Sequence, residues 1–232
     1  MGAGLGSLTI ALAATGAEVV AVEVDRRLLP ALEEAVHGFD RVRLVAEDAL
    51  DANWAEILGP GEGPWTMAAN LPYNVAVPIV MRMLEAEPRV ERILVMVQKE
   101  VGERLTANPG DAQYGAVSVR VAYWAEARMV RRVPRTVFWP QPNVDSVLVS
   151  IIRRPPPLDI DRAALWRTIE VSFGQRRKTM RGALVRLGLE AADAERALAL
   201  CGIHPQTRPE RLGLADFACL AERTAGVAEV GP

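Results

Sequence analysis

Short apolar runs alternating with helix-like stretches constrain this chain more than any other feature. Glu18–Asp25, Val42–Ala46, Trp65–Ala69 and Arg92–Val97 read as strands, with Arg26–Val36, Val77–Glu85 and Glu100–Leu105 as the helical stretches that alternate with them. Strands linked through helices at this spacing predict an α/β fold with a mostly parallel sheet covered by helices on both faces. Arg128–Val133 and Val144–Ile152 follow as two more strands joined without a long helix, which suits antiparallel pairing at the sheet's edge. Tyr114–Trp124 fits either state, because its β-branched residues favour a strand while its spacing also fits a helix.

The alternation stops at Arg153-Arg154-Pro155-Pro156-Pro157, a proline cluster of the kind that links domains. Beyond it Ala163–Phe173, Lys178–Arg186, Ala191–Ala199 and Ala215–Arg223 read as helices. The expected division is therefore residues 1–154 as an α/β domain and 155–232 as a small all-α domain. At 232 residues the chain has room for both.

Composition narrows the chemistry. No apolar run approaches the roughly 20 residues that span a bilayer, and no signal peptide is recognisable at the start, so the chain reads as cytoplasmic without a membrane partner. His37 and His204 are the only histidines, too few for a His-rich metal centre. Cys201 and Cys219 lack CxxC spacing and are expected to be buried structural thiols rather than zinc ligands or a disulfide. The expected chemistry uses no metal. The net charge of −2 conceals an asymmetry: residues 1–119 carry nine Lys/Arg against seventeen Asp/Glu, and residues 120–186 fourteen against five. A basic middle on an otherwise acidic chain fits either a polyanionic partner such as nucleic acid or a solvated Arg-rich surface.

Three strand exits carry the candidate site. Gly2, Gly4 and Gly6 form a loop before the helix-like Leu8–Ala14, and glycines at this spacing let backbone N–H groups approach a ligand closely. Glu23 stands near the end of the next strand, seventeen residues beyond Gly6, close to the separation expected of a carboxylate that binds ribose hydroxyls. Asp48, followed by Ala49, ends the third apolar run and is either an acceptor for an adenine amino group or a helix cap. Asn70-Leu71-Pro72-Tyr73-Asn74 ends the run at 65–69; an amide, a proline and an aromatic ring suit a pocket at the carboxyl edge of a sheet, or else an ordinary turn.

These motifs together resemble the ribosomal RNA small-subunit (16S) adenine N6-dimethyltransferase family (KsgA type), over nearly the whole chain. Gly2–Gly6 resembles its S-adenosylmethionine loop, Glu23 its ribose-binding acid, Glu47-Asp48-Ala49 its adenine-binding motif, and Asn70–Asn74 its catalytic motif. Val97–Val101, Tyr114-Gly115, Phe138–Ser146, Phe173–Thr179 and Arg208–Leu212 match further segments, Phe138 being the ring that faces the target base. The resemblance implies a Rossmann-like class I methyltransferase sheet whose first strand is absent from these 232 residues, with the C-terminal domain binding RNA. It implies S-adenosyl-L-methionine as cofactor, catalytic roles for Asn70, Leu71, Tyr73 and Phe138, and 16S rRNA of the small ribosomal subunit as partner of a monomer. Candidate phosphate contacts are Arg131, Arg132, Arg135, Arg176, Arg177, Lys178 and Arg181. The related large-subunit adenine methyltransferases are one alternative, although Leu71 and Asn74 favour the small-subunit reading. A non-catalytic RNA-binding assembly factor is another. An NAD-dependent dehydrogenase shares the glycine loop and Glu23 but leaves Asn70–Asn74 and Phe138–Ser146 without a role.

Overall fold

A computed structural model of the chain describes residues 1–61, 63–72, 74–157, 159–175 and 178–225. In order, the elements are α1 (Ser7–Ala13), β1 (Val19–Val22), α2 (Leu29–Ala35), β2 (Val42–Val45), α3 (Trp54–Ile57), β3 (Trp65–Asn70), α4 (Ala76–Ala86), β4 (Val90–Gln98), α5 (Lys99–Thr106), α6 (Ala116–Trp124), β5 (Ala125–Val133), β6 (Ser146–Arg153), α7 (Arg162–Phe173), α8 (Met180–Arg186), α9 (Ala191–Leu200) and α10 (Leu214–Thr224). The segment that fitted either state is the helix α6. Its residues Ser118, Val119, Val121, Tyr123 and Trp124 are buried, and tertiary packing overrides their strand-like composition.

The chain divides into two compact units, 1–102 with 126–153, and 103–125 with 154–232. A division at 154/155 would leave residues 103–125 with the sheet. In the structure they group with the C-terminal helices, because α6 packs against α7 and α10.

In the first unit the strands form two sheets rather than one. β1 pairs with β2 in parallel, and β3-β4-β6-β5 form the second sheet, with β3 parallel to β4 and β6 antiparallel to it. Among the described residues no strand pairs with both β1 and β3, and a cavity of about 580 Å³ opens there, lined in part by Val19, Val20, Trp65 and Met67. Register explains the core of the larger sheet. Met67 and Ala69 stand opposite Ile93 and Val95, which stand opposite Ile151 and Val149, and all six side chains are buried. Side chains two apart share a face, so this is one apolar layer. Against solvent, each fully buried Val or Ile of that layer contributes about 1.5–3 kcal/mol.

The helix α4 carries a matching stripe, with Ala76, Ile79, Val80, Met83 and Leu84 buried at the i, i+3, i+4, i+7, i+8 spacing of one helical face. Its carboxyl end is fastened by Arg153, the last residue of β6. That guanidinium donates to the carbonyls of Met83, Leu84, Glu87 and Val90 at 2.9–3.1 Å. A cation there also complements the helix dipole. Beside it the buried Glu87 accepts two bonds of 2.9 Å from the Arg89 guanidinium.

The second unit is helical around an aromatic core. Phe173 lies 5.7 Å from Phe217 and 6.0 Å, edge on, from Tyr114, whose hydroxyl donates to the Leu212 carbonyl at 2.8 Å. Cys201 and Cys219, expected as buried free thiols, are instead half-exposed and joined in a disulfide, with Cα atoms 5.9 Å apart. The packing of α10 on the end of α9 brings the two sulfurs together, which spacing along the chain does not reveal.

Candidate active site

The glycine loop is held onto the end of β1 by backbone bonds. Ala3 N–H donates to the Val22 carbonyl at 3.2 Å and Gly6 N–H to the Ala3 carbonyl at 3.0 Å. Gly2, Gly4 and Gly6 have φ of 61°, 56° and 90°, a region that costs other residues about 1–2 kcal/mol. At Gly6 a side chain would also meet Leu32 Cδ1 of α2 at 3.0 Å.

Glu23 follows β1 and is buried, a position a carboxylate tolerates only when hydrogen-bonded. One oxygen accepts the Gly4 N–H at 2.8 Å and the other the Asp25 N–H at 2.9 Å. Each oxygen keeps a further lone pair for a ligand hydroxyl. Asp25 has a different task. Its carboxyl pairs with Arg27, whose side-chain hydrogen bond holds it down to about 2.

Asp48, beyond β2, is exposed, and its Oδ1 accepts the Leu50 N–H at 2.9 Å. The adjacent Ala49 carbonyl is fixed by the indole N–H of buried Trp54 at 3.1 Å. Asn70 closes β3 with its side chain exposed, while Leu71 is buried and its N–H donates to the Met96 carbonyl at 3.2 Å. A Cβ on Gly2 would stand 3.9 Å from both the Asn70 carbonyl oxygen and Pro72 Cδ. The glycine loop therefore lies beside the Asn70–Pro72 turn, with room between them for about one methyl group at Gly2.

The structure brings Gly2, Gly4, Gly6, Glu23, Asn70 and Leu71 together through these bonds and contacts. Phe138 joins them by topology. Asn70 is level with Met96, and Gln98, two residues further along β4, is level with Ser146, the first residue of β6. The half-buried Phe138 lies on the loop entering β6, so it belongs to the same end of the sheet. Its N–H bonds the Arg135 carbonyl at 3.3 Å, just after a 3-10 turn at Arg135–Val137, and the peptide bond that follows Trp139 is cis. Tyr73 lies outside the described residues.

Of the candidate phosphate-binding residues, Arg131, Arg132 and Arg135 are exposed in the first unit. Arg135 has its own N–H bonded to Asp145 Oδ1 at 3.0 Å. Lys178 is exposed in the second unit, and Arg181 there is already paired with Glu195 at 2.6 Å. Arg176 and Arg177 lie outside the described residues. Among those described, no group of three or more His, Cys, Asp or Glu is placed to hold a metal ion, and no helix is long and apolar enough to cross a membrane. Trp139, which the sequence offered only as part of a motif, is 97% exposed beside Phe138.

A mixed α/β arrangement with a glycine loop at one strand exit and a polar Asn turn at a neighbouring one defines a Rossmann-like class I methyltransferase fold. It matches a dimethyladenosine transferase from Plasmodium falciparum at a TM-score of 0.74, with 22% identity over 94% of this chain and 86% of that one. The 23S rRNA methyltransferase ErmE matches at 0.70, with 27% identity over 97% and 88%. A family model described as ribosomal RNA adenine dimethylase matches residues 1–225, and the chain belongs to that family. It is 48% identical to the ribosomal RNA small subunit methyltransferase A of Thermobifida fusca, over 96% of this chain and 78% of the relative. To the protein of the same name from Moorella thermoacetica it is 45% identical, over 95% and 80%.

Proposed function

We propose that this protein uses S-adenosyl-L-methionine to dimethylate N6 of adjacent adenines in 16S ribosomal RNA of the small subunit. The observation that carries the reading is the approach of the glycine loop to Asn70 and Pro72, with buried Glu23 holding that loop from behind. In this reading the loop stands between a carboxylate that binds the nucleoside and the turn that carries the base-positioning Asn70 amide. Residues available to the cofactor are Gly2, Gly4 and Gly6 through their backbone, Glu23 for ribose hydroxyls, Asp48 and Ala49 for adenine, and Asn70. When bound, S-adenosyl-L-methionine supplies an electrophilic methyl group on a sulfonium.

The chain's own task is to hold a poor nucleophile. The amine of adenine is weakly nucleophilic because its lone pair is delocalised into the ring. The side-chain oxygen of Asn70 and the carbonyl of Leu71 accept its two N–H groups, which favours a more pyramidal nitrogen. Tyr73 and Phe138 stack on the base, which must leave its own stack to enter. This is catalysis by positioning and electrostatic stabilisation, in which no side chain of the protein need change its charge and the proton that N6 gives up at each transfer passes to water. Arg131, Arg132, Arg135, Arg176, Arg177 and Lys178 supply sequence-independent affinity for RNA phosphates, and the helical C-terminal unit takes part in holding the RNA. Arg181 contributes less, because Glu195 already neutralises it. A monomer acting in the cytoplasm, on the ribosomal subunit as it is assembled, is the setting this chemistry fits.

The small-subunit reading is supported over the large-subunit one by Leu71 and Asn74, and by 48% identity to a small-subunit enzyme against 27% to ErmE. Mass spectrometry of unmethylated small- and large-subunit RNA, incubated separately with protein and cofactor, tests it. Two methyls on each of one or two small-subunit adenines are expected. Modification of large-subunit RNA alone would favour the rival, and cofactor binding by titration without methylation of either would favour a non-catalytic assembly factor.

A further inference from the structure

Trp139 is the most exposed large apolar side chain among the described residues, at 97%, and no step above uses it. It is not the tip of a loose loop. Arg135 N–H donates to Asp145 Oδ1, the Arg135 guanidinium reaches the Asn143 carbonyl at 3.4 Å, and the Asp145 carbonyl accepts the Lys99 N–H at 3.0 Å. These bonds fasten the loop at both ends and leave the indole standing out between Phe138 and Pro140. Val137, Val144, Met129 and Val130 are also exposed, by 43–62%, on the same loop and on β5. Arg128, Arg131, Arg132 and Arg135 are exposed on β5 and this loop, and along residues 126–146 the acids are Glu126 and Asp145 alone.

A flat ring beside guanidinium groups is what single-stranded nucleic acid requires, since every base has a π-face and every linkage a negative charge. The loop also opens at the correct end of the sheet. β3 and β6 are separated by one strand, a distance of about 10 Å, and both Asn70 and the residue that follows this loop, Ser146, lie at the exits of their shared neighbour β4.

We propose that Trp139 is a positioning residue whose indole stacks on a base flanking the target adenine, in an unpaired stretch of the RNA. This rests on the RNA-methyltransferase reading given above and adds a second aromatic contact outside the reacting base. Phe138 addresses the adenine that reacts, whereas Trp139 fixes the register of the strand that delivers it. Protein partners also bury exposed indoles, but four arginines against two acids favour a polyanion.

The test uses the full chain with a fluorescently labelled single-stranded RNA carrying adjacent adenines, and unmethylated small-subunit RNA for kinetics. Wild-type tryptophan emission is expected to be quenched on RNA binding, and that quenching should disappear in Trp139→Phe. Trp139→Ala is expected to bind RNA roughly tenfold to hundredfold more weakly, the range of one base–aromatic stack. Its KM for RNA should rise while kcat at saturating RNA and cofactor affinity hold, and Trp139→Phe should recover most of the affinity. Unchanged RNA affinity in Trp139→Ala would overturn the proposal, as would a parallel loss of cofactor affinity or no recovery in Trp139→Phe. Stacking without methylation of any RNA would sink the enzymatic reading and leave the platform standing.

Discussion

The two units spend their aromatic and polar residues in opposite ways. In the first, Asn70, Asp48 and Trp139 stand exposed at strand ends and loops, and the core beneath them is a plain layer of Val, Ile, Ala and Met. In the second, the conspicuous residues are the core. Tyr114 and Phe173, both in segments that resemble family motifs, meet inside the helical unit, and Leu212 of the third such segment accepts the tyrosine's hydrogen bond. The motif residues Asn70 and Trp139 of the first unit are thus exposed, whereas Tyr114, Phe173 and Leu212 of the second are spent on packing. Substitutions should separate the same way, into losses of activity and losses of stability.

Asn70→Ala should break the contrast most visibly if the contrast is mistaken. Removing one preorganised acceptor is expected to lower methyl transfer by about 10²–10³-fold in single-turnover assays. Because the side chain is exposed, stability should change by no more than about 0.5 kcal/mol. A stability loss well beyond that in urea denaturation would mean that Asn70 serves the fold.

Next in size is Cys201→Ser. Its disulfide closes a separation of 18 residues, worth about 3 kcal/mol in the chain-entropy account. Denaturation without reductant should show that loss in the helical unit only, and reductant should erase the difference from wild type. In a reducing cytoplasm the pair is expected as two thiols.

Glu87→Gln tests whether the first unit has a polar dependence of its own. Taking the carboxylate from the Arg89 guanidinium, which keeps its bonds to the Gly59 and Gly61 carbonyls, is expected to lower stability by less than the disulfide does. The Arg89 hydrogen bond holds the Glu87 carboxyl below its ordinary value of 4.5. A depressed value means that the contribution is complete above the unfolded-state value and is lost as pH falls through the folded one. Urea midpoints of wild type and variant should therefore converge on acidification below about pH 4.5.

The smallest effect belongs to Tyr114→Phe, which deletes one buried hydrogen bond worth about 1 kcal/mol. Burial, with Asp216 nearby, pushes the Tyr114 hydroxyl up from 10.0 to about 12. The folded state favours the neutral phenol, so the tyrosine's advantage holds below pH 10 and declines as pH rises towards 12. Thermal melts of the two proteins across that interval should approach one another.

Much of this was legible in the sequence, and the failures have causes. Strand and helix existence followed from periodicity; Gly2–Gly6 were candidates by glycine spacing, Glu23 by its seventeen-residue separation from Gly6, and Asn70 as an amide ill suited to packing at a strand end. α6 was ambiguous because Val117, Val119 and Val121 alternate as in a strand; its neighbours in the second unit decide the matter. α3 escaped notice because four residues have no period to read, although Asn53 caps it by accepting the Glu56 N–H. The disulfide and the Arg181–Glu195 pair depend on which helices touch, and local patterns carry no such information.

The bonds of Arg153 have a consequence for the time course of folding. They join residues 63–70 positions apart, the last residue of β6 reaching back to the end of α4 and the start of β4. Such a clasp can close only after that whole stretch, residues 103–125 of the second unit included, has been gathered, so it is expected to form after an early folding nucleus. Interactions that form after the transition state govern the unfolding rate rather than the folding rate. Arg153→Met should leave the refolding arm of a chevron nearly unmoved and raise the unfolding arm, shortening the lifetime of the sheet on which the site is mounted.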